Sequence, residues 1–283
     1  MEVSVVKSKY VDFENIEVAP SKGNFSRQIN PDDVPYTYGD MYQEDAFYPS
    51  EQAVLGEPYI LRDFRGQNMM VYPYSYNPVT KTLRVYTYLR IEAKKVSDNG
   101  ENQKVRATRS NKITPEMNMS YKRRFINYPT NEKRYTFLEE EGEMLIVCVD
   151  KYLEALEPLV EWKNISGRPT SIVATSVTGT LDSLKQYISD YYKANPDLVY
   201  VLLVGEHDNL PAKVLSGGRS DNYYGMLEGN DKYEEVMVGR LSVNSIGDAV
   251  NQVNKIIYYE RDIDAKATWL TRASGVAAKE GEG

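Results

Sequence analysis

Two apolar runs constrain this chain more than any other feature: Met144-Leu145-Ile146-Val147-Cys148-Val149 and Val199-Tyr200-Val201-Leu202-Leu203-Val204-Gly205. Neither alternates apolar with polar residues, as a strand with one wet face would. Each therefore predicts a strand buried on both sides, the environment of a parallel sheet with helices on its two faces. The neighbouring segments supply the helices. Tyr152 to Ile165 carries Leu153, Leu156, Leu159, Val160 and Ile165 at helical spacing, and Gly167 is placed to end it as a C′ glycine. Leu181 to Tyr192 sets Leu181, Leu184, Tyr187, Ile188 and Tyr191 on one face. Ile172 to Ala174, Glu235 to Val243 and Ala273 to Ala278 read as further strands, and Ile246 to about Glu260 as a third helix. Alternating strands and helices make the second half an α/β domain.

The first half has another grammar. It holds 13 of the 24 tyrosines before Arg134 and reads as β structure. Val3 to Val11 alternates with period two. Met69 to Tyr76 and Leu83 to Ile91 flank Asn77-Pro78-Val79-Thr80-Lys81, which predicts a β-hairpin. Pro20 to Pro31 has turn formers and no period, the pattern of an exposed loop. The polar, dibasic stretch Tyr128 to Arg134 is the natural boundary. Two domains are expected, residues 1–134 β-rich and residues 135–283 α/β, in keeping with roughly 150 residues per domain.

Composition removes several classes of function. A net charge of −7 with a pI near 5.1 speaks against nucleic-acid binding, which calls for a basic face. No apolar run approaches the ~18 residues that a membrane span needs. One Cys and one His exclude a disulfide framework and a Cys/His zinc site. There is no G-x-x-x-x-G-K-[ST] phosphate loop and no G-x-G-x-x-G after a strand.

Open α/β sheets gather function at the carboxyl ends of their strands. Three ends qualify: Asp150-Lys151, Glu206-His207-Asp208, and Lys279 to Gly283. Cys148 and His207 would have to form any thiol–imidazole dyad, but Cys148 lies inside an apolar strand and reads as a small core hydrophobe. Glu228 to Glu235 crowds four acidic residues around a Gly-Asn turn. Such a loop suits a calcium ion, with its six to eight oxygen ligands, or is a plain solvated turn.

The blocks YVLLVGEHDNLPAK, SDNYYGMLEGNDKYEEVMVGRLSV and EWKNISGRP resemble the gingipain family of bacterial cysteine endopeptidases, above all its arginine-specific members. APSKGNFSRQINPDDVPYTYG and YNPVTKTLRVYT resemble the propeptide of that family. The resemblance implies a β-rich propeptide domain, N-terminally incomplete, followed by the first half of a caspase-like α/β catalytic domain. It implies cleavage at the Arg134-Tyr135 bond and places Arg27 as the basic residue presented to the specificity pocket. Glu280 matches the carboxylate that orients the catalytic His, while the family's catalytic His and Cys fall beyond Gly283. It further implies a structural calcium ion. Asp231 and Glu235 match its carboxylate ligands, Glu228 and Tyr233 its main-chain carbonyl ligands, and Glu206 stands where arginine-specific members carry Asp.

The expected protein is thus an incomplete, inactive zymogen of a secreted or surface peptidase. Protein or peptide substrates are expected for the whole enzyme, cut after Arg or Lys, and its propeptide should contact the catalytic domain within the chain. The alternative is a non-catalytic secreted or surface binding protein on a degenerate peptidase fold.

Overall fold

The computed structural model describes residues 1–26, 28–97, 100–103, 113–128, 142–215, 218–264 and 266–275. The chain divides into two compact units. One comprises Met1–Glu57, Gln67–Gly100 and Thr268–Gly283; the other comprises Pro58–Gly66 and Glu101–Ala267.

The first unit is built on a three-stranded antiparallel sheet. Strand β1 (Glu2–Phe13) pairs along its length with β5 (Thr82–Lys94), which pairs on its other side with β4 (Tyr74–Asn77). The expected hairpin forms between β4 and β5. The Asn77 side chain closes its turn, accepting from the N–H groups of Val79 and Thr80 at 3.1 and 3.2 Å. The Met69 to Tyr76 stretch is not one strand. It breaks at Tyr72-Pro73, so Met69 to Val71 ends β3 (Phe64–Val71) and Tyr74 begins β4. Proline has no N–H to offer a ladder at that point. Arg84 stacks over Tyr10 at 3.9 Å and binds Asp12 through two 2.8 Å hydrogen bonds, so its charge is held across the β1/β5 pair.

The second unit contains the α/β sheet. Strands β6 (Glu143–Cys148), β7 (Thr170–Ala174), β8 (Leu198–Val204) and β11 (Met237–Leu241) form a parallel sheet in the order β11-β8-β6-β7. Residue parity decides which face each side chain covers. Leu145, Val147, Val201 and Leu203 pack with Leu184, Ile188 and Tyr192 of helix α4 (Asp182–Ala194). Ile146, Cys148 and Val204 pack with Leu156 and Leu159 of α2 (Leu153–Ile165) and with Ala249, Val253 and Ile257 of α5 (Ile246–Ile257). The two continuous apolar runs are thus accounted for: β6 and β8 have no solvated face.

Helix ends follow their local chemistry. Gly167 follows α2 at φ +95, a conformation that costs glycine least. A reciprocal Ser245–Asp248 capping box opens α5. Beyond Ile257 the helix widens into a π-turn, Tyr258–Asp262, from which Glu260 accepts from Trp162 and Lys163. Ala273 to Gly275 show no strand, and residues 276–278 of that expected element lie outside the described residues.

A helix that the sequence reading lacked, α1 (Pro115–Arg124), belongs to the second unit. So does the tip of the hairpin formed by β2 (Ala53–Leu61) and β3. Tyr59, Leu61, Met117 and Tyr121 make a small buried cluster there, lined by Phe64, Phe125, Tyr128 and Tyr233. The short pair β9 (Lys213–Leu215) and β10 (Gly218–Ser220) follows β8.

Two isoleucines test the layering. Ile146 is fully buried and Ile165, at the end of α2, is 71% exposed. Ile146→Ala should cost about 2–5 kcal/mol of unfolding free energy. Ile165→Ala should stay within about 0.5 kcal/mol of wild type in the same urea titration.

Candidate functional site

The carboxyl ends of the strands hold polar groups that are already engaged. Asp150, just past β6, accepts from Thr175 Oγ1 and Ser176 N–H at 3.1 Å each, at the start of the short helix α3 (Thr175–Thr178). The Ser176 and Thr175 donors hold its carboxyl below the ordinary range. Gly205 follows β8 at φ +144, and a Cβ there would meet Val149 Cγ2 at 2.8 Å, so glycine is required for this turn. Arg240 of β11 donates to the Gly205 carbonyl at 2.8 Å and forks onto Asp221 at 2.6 and 2.7 Å. His207 uses Nδ1 to accept from Ala212 N–H at 3.0 Å, which leaves the proton of the neutral ring on Nε2.

Cys148 is fully buried against the α2/α5 face. Burial, helped by the charge of Asp150, pushes its thiol up to about 12. A thiol of that pKa supplies almost no thiolate near neutral pH, so Cys148 is packing and not a nucleophile.

The acidic loop is more structured than its composition suggests. Glu235 is buried; its Oε2 accepts from the N–H groups of Leu227 and Glu228 at 2.7 and 2.9 Å. Its other oxygen, Oε1, is buried with no hydrogen-bond partner. Burial chiefly, then the nearby charge of Glu228, pushes the Glu235 carboxyl up to about 7 despite the two N–H groups. Asp231 accepts from Tyr233 N–H through Oδ1 at 3.0 Å and from Ile60 N–H through Oδ2 at 2.8 Å. Glu206 lies two residues beyond β8, and its carbonyl accepts from Asn209 and Leu210. Glu228, Asp231, Tyr233 and Glu235 thus share one loop.

The fit to a hard cation is partial. A buried, unpartnered carboxylate oxygen beside a second carboxylate suits one, but Asp231 already spends both oxygens on main-chain donors. Among the described residues no three Asp, Glu, His or Cys side chains are grouped to hold a metal. Arg27, Arg134, Tyr135 and Glu280 lie outside the described residues.

Sequence reasoning missed Arg62. At the tip of the β2–β3 hairpin, with φ +48, it extends a side chain that is 4% exposed. Nη1 donates to the carbonyls of Leu198 and Glu235, the latter at 3.0 Å, and Nη2 to that of Pro196 at 2.8 Å. The Tyr192 ring lies 5.6 Å away. Asp63 accepts from Tyr121 OH at 2.6 Å. Around them, Tyr59 stacks on Tyr233 at 4.0 Å, and Asn102 joins the Pro58 carbonyl to Asn230 N–H at 2.7 and 2.8 Å. An Arg-Asp pair between two strands reads as an ordinary turn, so the sequence carried no signal of this.

The family comparisons divide the chain in two along its sequence. The model for the C25 propeptide matches residues 1–136, and that for peptidase family C25 matches residues 137–283. The chain belongs to peptidase family C25. It is 42% identical to Gingipain R2 of Porphyromonas gingivalis over 99% of this chain and 38% of that protein. Identity to Gingipain R1 of the same organism is 40%, over 99% and 28%. With its Lys-gingipain identity is 25%, over 93% and 16%. The chain therefore spans well under half the length of these relatives. Among solved structures, the complex of P. gingivalis RgpB pro- and mature domains aligns with a TM-score of 0.39 at 43% identity, covering 45% of this chain and 63% of that one. The Arg-specific cysteine proteinase gingipain R gives 0.44 at 36%, covering 50% and 32%. Among the described residues no helix is long and apolar enough to cross a membrane.

Glu235 sets a pH dependence. Its folded pKa of about 7 stands above the ordinary 4.5, so between these values the folded chain holds a proton that the unfolded chain has lost. The associated stability is fully present below about pH 4.5 and is lost as pH rises through 7, a change on the order of 3 kcal/mol. Urea unfolding in chelating buffer from pH 5 to 8 should show this fall, and Glu235→Gln should flatten it. Parallel pH profiles for the two proteins would remove Glu235 as the cause.

Proposed function

We propose that this chain is the propeptide and the leading part of the catalytic domain of a gingipain-like cysteine endopeptidase precursor, with the junction at Arg134-Tyr135. The observation that carries the reading is the contiguous match of a C25 propeptide and a C25 peptidase segment along one chain. Greater identity to Gingipain R1 and R2 than to Lys-gingipain supports cleavage after Arg in the whole protein. That enzyme would act on protein or peptide substrates outside a bacterial cell. A Cys thiolate would attack the peptide carbonyl to form a thioester, with a His base and an oxyanion hole sharing the work. Glu280 would orient that His and fix its tautomer.

Arg27 is the residue proposed to hold the precursor inactive. Its guanidinium can fork onto a carboxylate at a pocket floor, as an arginine substrate would. Calcium is the proposed structural ion of the 228–235 loop, where it would satisfy Glu235 Oε1 and offset the Glu228–Glu235 repulsion. Bound calcium would also draw the Glu235 proton off, reversing the pH dependence described above.

The 283-residue chain itself should not hydrolyse Arg- or Lys-based peptides under reducing conditions, since its only thiol, Cys148, is buried and held protonated. Activity that vanishes in Cys148→Ala would overturn this. Added to Gingipain R2, the chain should inhibit, and Arg27→Ala should weaken inhibition at least tenfold, the equivalent of about 1.4 kcal/mol. Equal inhibition by both versions would remove Arg27 from the role, and no inhibition by either would count against the precursor reading.

A further inference from the structure

We infer that Arg62 is an anchor by which the leading segment grips the peptidase segment, in a pocket of main-chain carbonyls remote from the ends of the strands where chemistry gathers. The inference rests on the division into propeptide and peptidase parts proposed above. The pocket is made by residues of the peptidase part alone: the carbonyls of Pro196, Leu198 and Glu235, and the Tyr192 ring. Its occupant comes from residue 62, more than a hundred positions earlier in the chain.

The chemistry selects arginine. Three carbonyl oxygens are shared between Nη1 and Nη2, and a planar fork with five N–H donors can meet them together. A lysine ammonium is a compact point charge and would leave at least one of these acceptors poorly met. Arg62 takes a positive φ at the hairpin tip, and the next residue, Asp63, is held by Tyr121 OH, so the tip is braced for docking. The surrounding contacts have the character of an interface: Tyr59 on Tyr233, Ile60 N–H on Asp231 and Asn102 on Asn230. A buried arginine ringed by aromatic and main-chain contacts is the composition of a binding hot spot.

Its position separates anchoring from inhibition. Leu198 is the first residue of β8, so the pocket lies at the amino end of that strand. In open α/β sheets substrates meet the carboxyl ends. Arg62 in this pocket therefore retains the propeptide without covering the face on which a peptidase of this fold would work. The partner class that fits the pocket is a β-hairpin or extended segment presenting one arginine.

The test uses the 283-residue chain with a site for a sequence-specific protease placed within residues 129–141. The chain is tethered by its amino end and cut, and loss of the carboxyl-terminal fragment is followed with time. Wild type should retain the fragment. Arg62→Ala should release it at least 30-fold faster and Arg62→Lys about tenfold faster, with circular dichroism before the cut confirming that each is folded. A folded Arg62→Lys that releases within twofold of the wild-type rate would overturn the proposal. Failure of both variants to fold before the cut would also overturn it, since Arg62 would then belong to the core of the peptidase part. The readout needs neither activity nor inhibition. Retention that depends on Arg62, together with no inhibition of Gingipain R2, would sink the functional reading and leave the anchor standing.

Discussion

The absence of a wet face on β6 and β8 governs the second unit. These strands lie side by side in the middle of the sheet, and alternate residues of each pack against helices on opposite faces. Side chains can then meet solvent or a ligand only where strands end, so any chemistry is confined to turns such as Val149-Asp150 and Gly205-Glu206. The same constraint decides the fate of Cys148. Its parity turns it toward α2 and α5, where a thiolate would lose its hydration and gain no cation. Position in the strand, more than residue type, removes it from catalysis.

Two carboxylates show how far local donors can offset burial. Asp150 is exposed and accepts from a hydroxyl and an N–H, which favour its charged form. Glu235 accepts from two N–H groups as well, yet its pKa goes up, because one of its oxygens is buried without a donor and Glu228 is near. Hydrogen bonds to half of a buried carboxylate do not compensate its lost hydration. A site left in this condition is open to a proton or a cation, and the acidity of the medium decides between them.

The parts of the fold legible in the sequence were those whose pattern is local. The apolar runs gave β6 and β8, helical spacing gave α2, α4 and α5, and Asn77-Pro78 gave the β4–β5 turn. Helix α1 escaped because its apolar stripe is thin, with only Met117 and Tyr121 buried, although Thr114-Pro115 is a serviceable start signal. The break at Pro73 is likewise a local signal, a proline inside an otherwise strand-like run. Arg62 is different in kind. Its partners are carbonyls at 196, 198 and 235, and a carbonyl has the same chemistry in every residue, so no side-chain motif marks the pocket. The acidic loop was legible as a carboxylate cluster but not as a set of acceptors for main-chain N–H groups, since Asp231 accepts from Tyr233 and Ile60.

The same reasoning explains why sequence halves and compact units need not coincide. The family boundary falls near residue 136, yet Pro58–Gly66 and Glu101–Ala267 form one unit with the sheet. Truncating Arg62 with the rest of the tip in place would strand the buried Leu198 and Glu235 carbonyls, and an unmet buried acceptor costs about 1–3 kcal/mol. Removing the whole tip would uncover Tyr233, which the Tyr59 ring now stacks upon. Closing a chain loop of this length on its own costs only a logarithm of that length, so tethering is cheap while the chain is whole. Once it is cut, the contacts themselves must bear the association entropy. An arginine that meets three carbonyls at once is suited to that demand, because losing it leaves several acceptors unmet together.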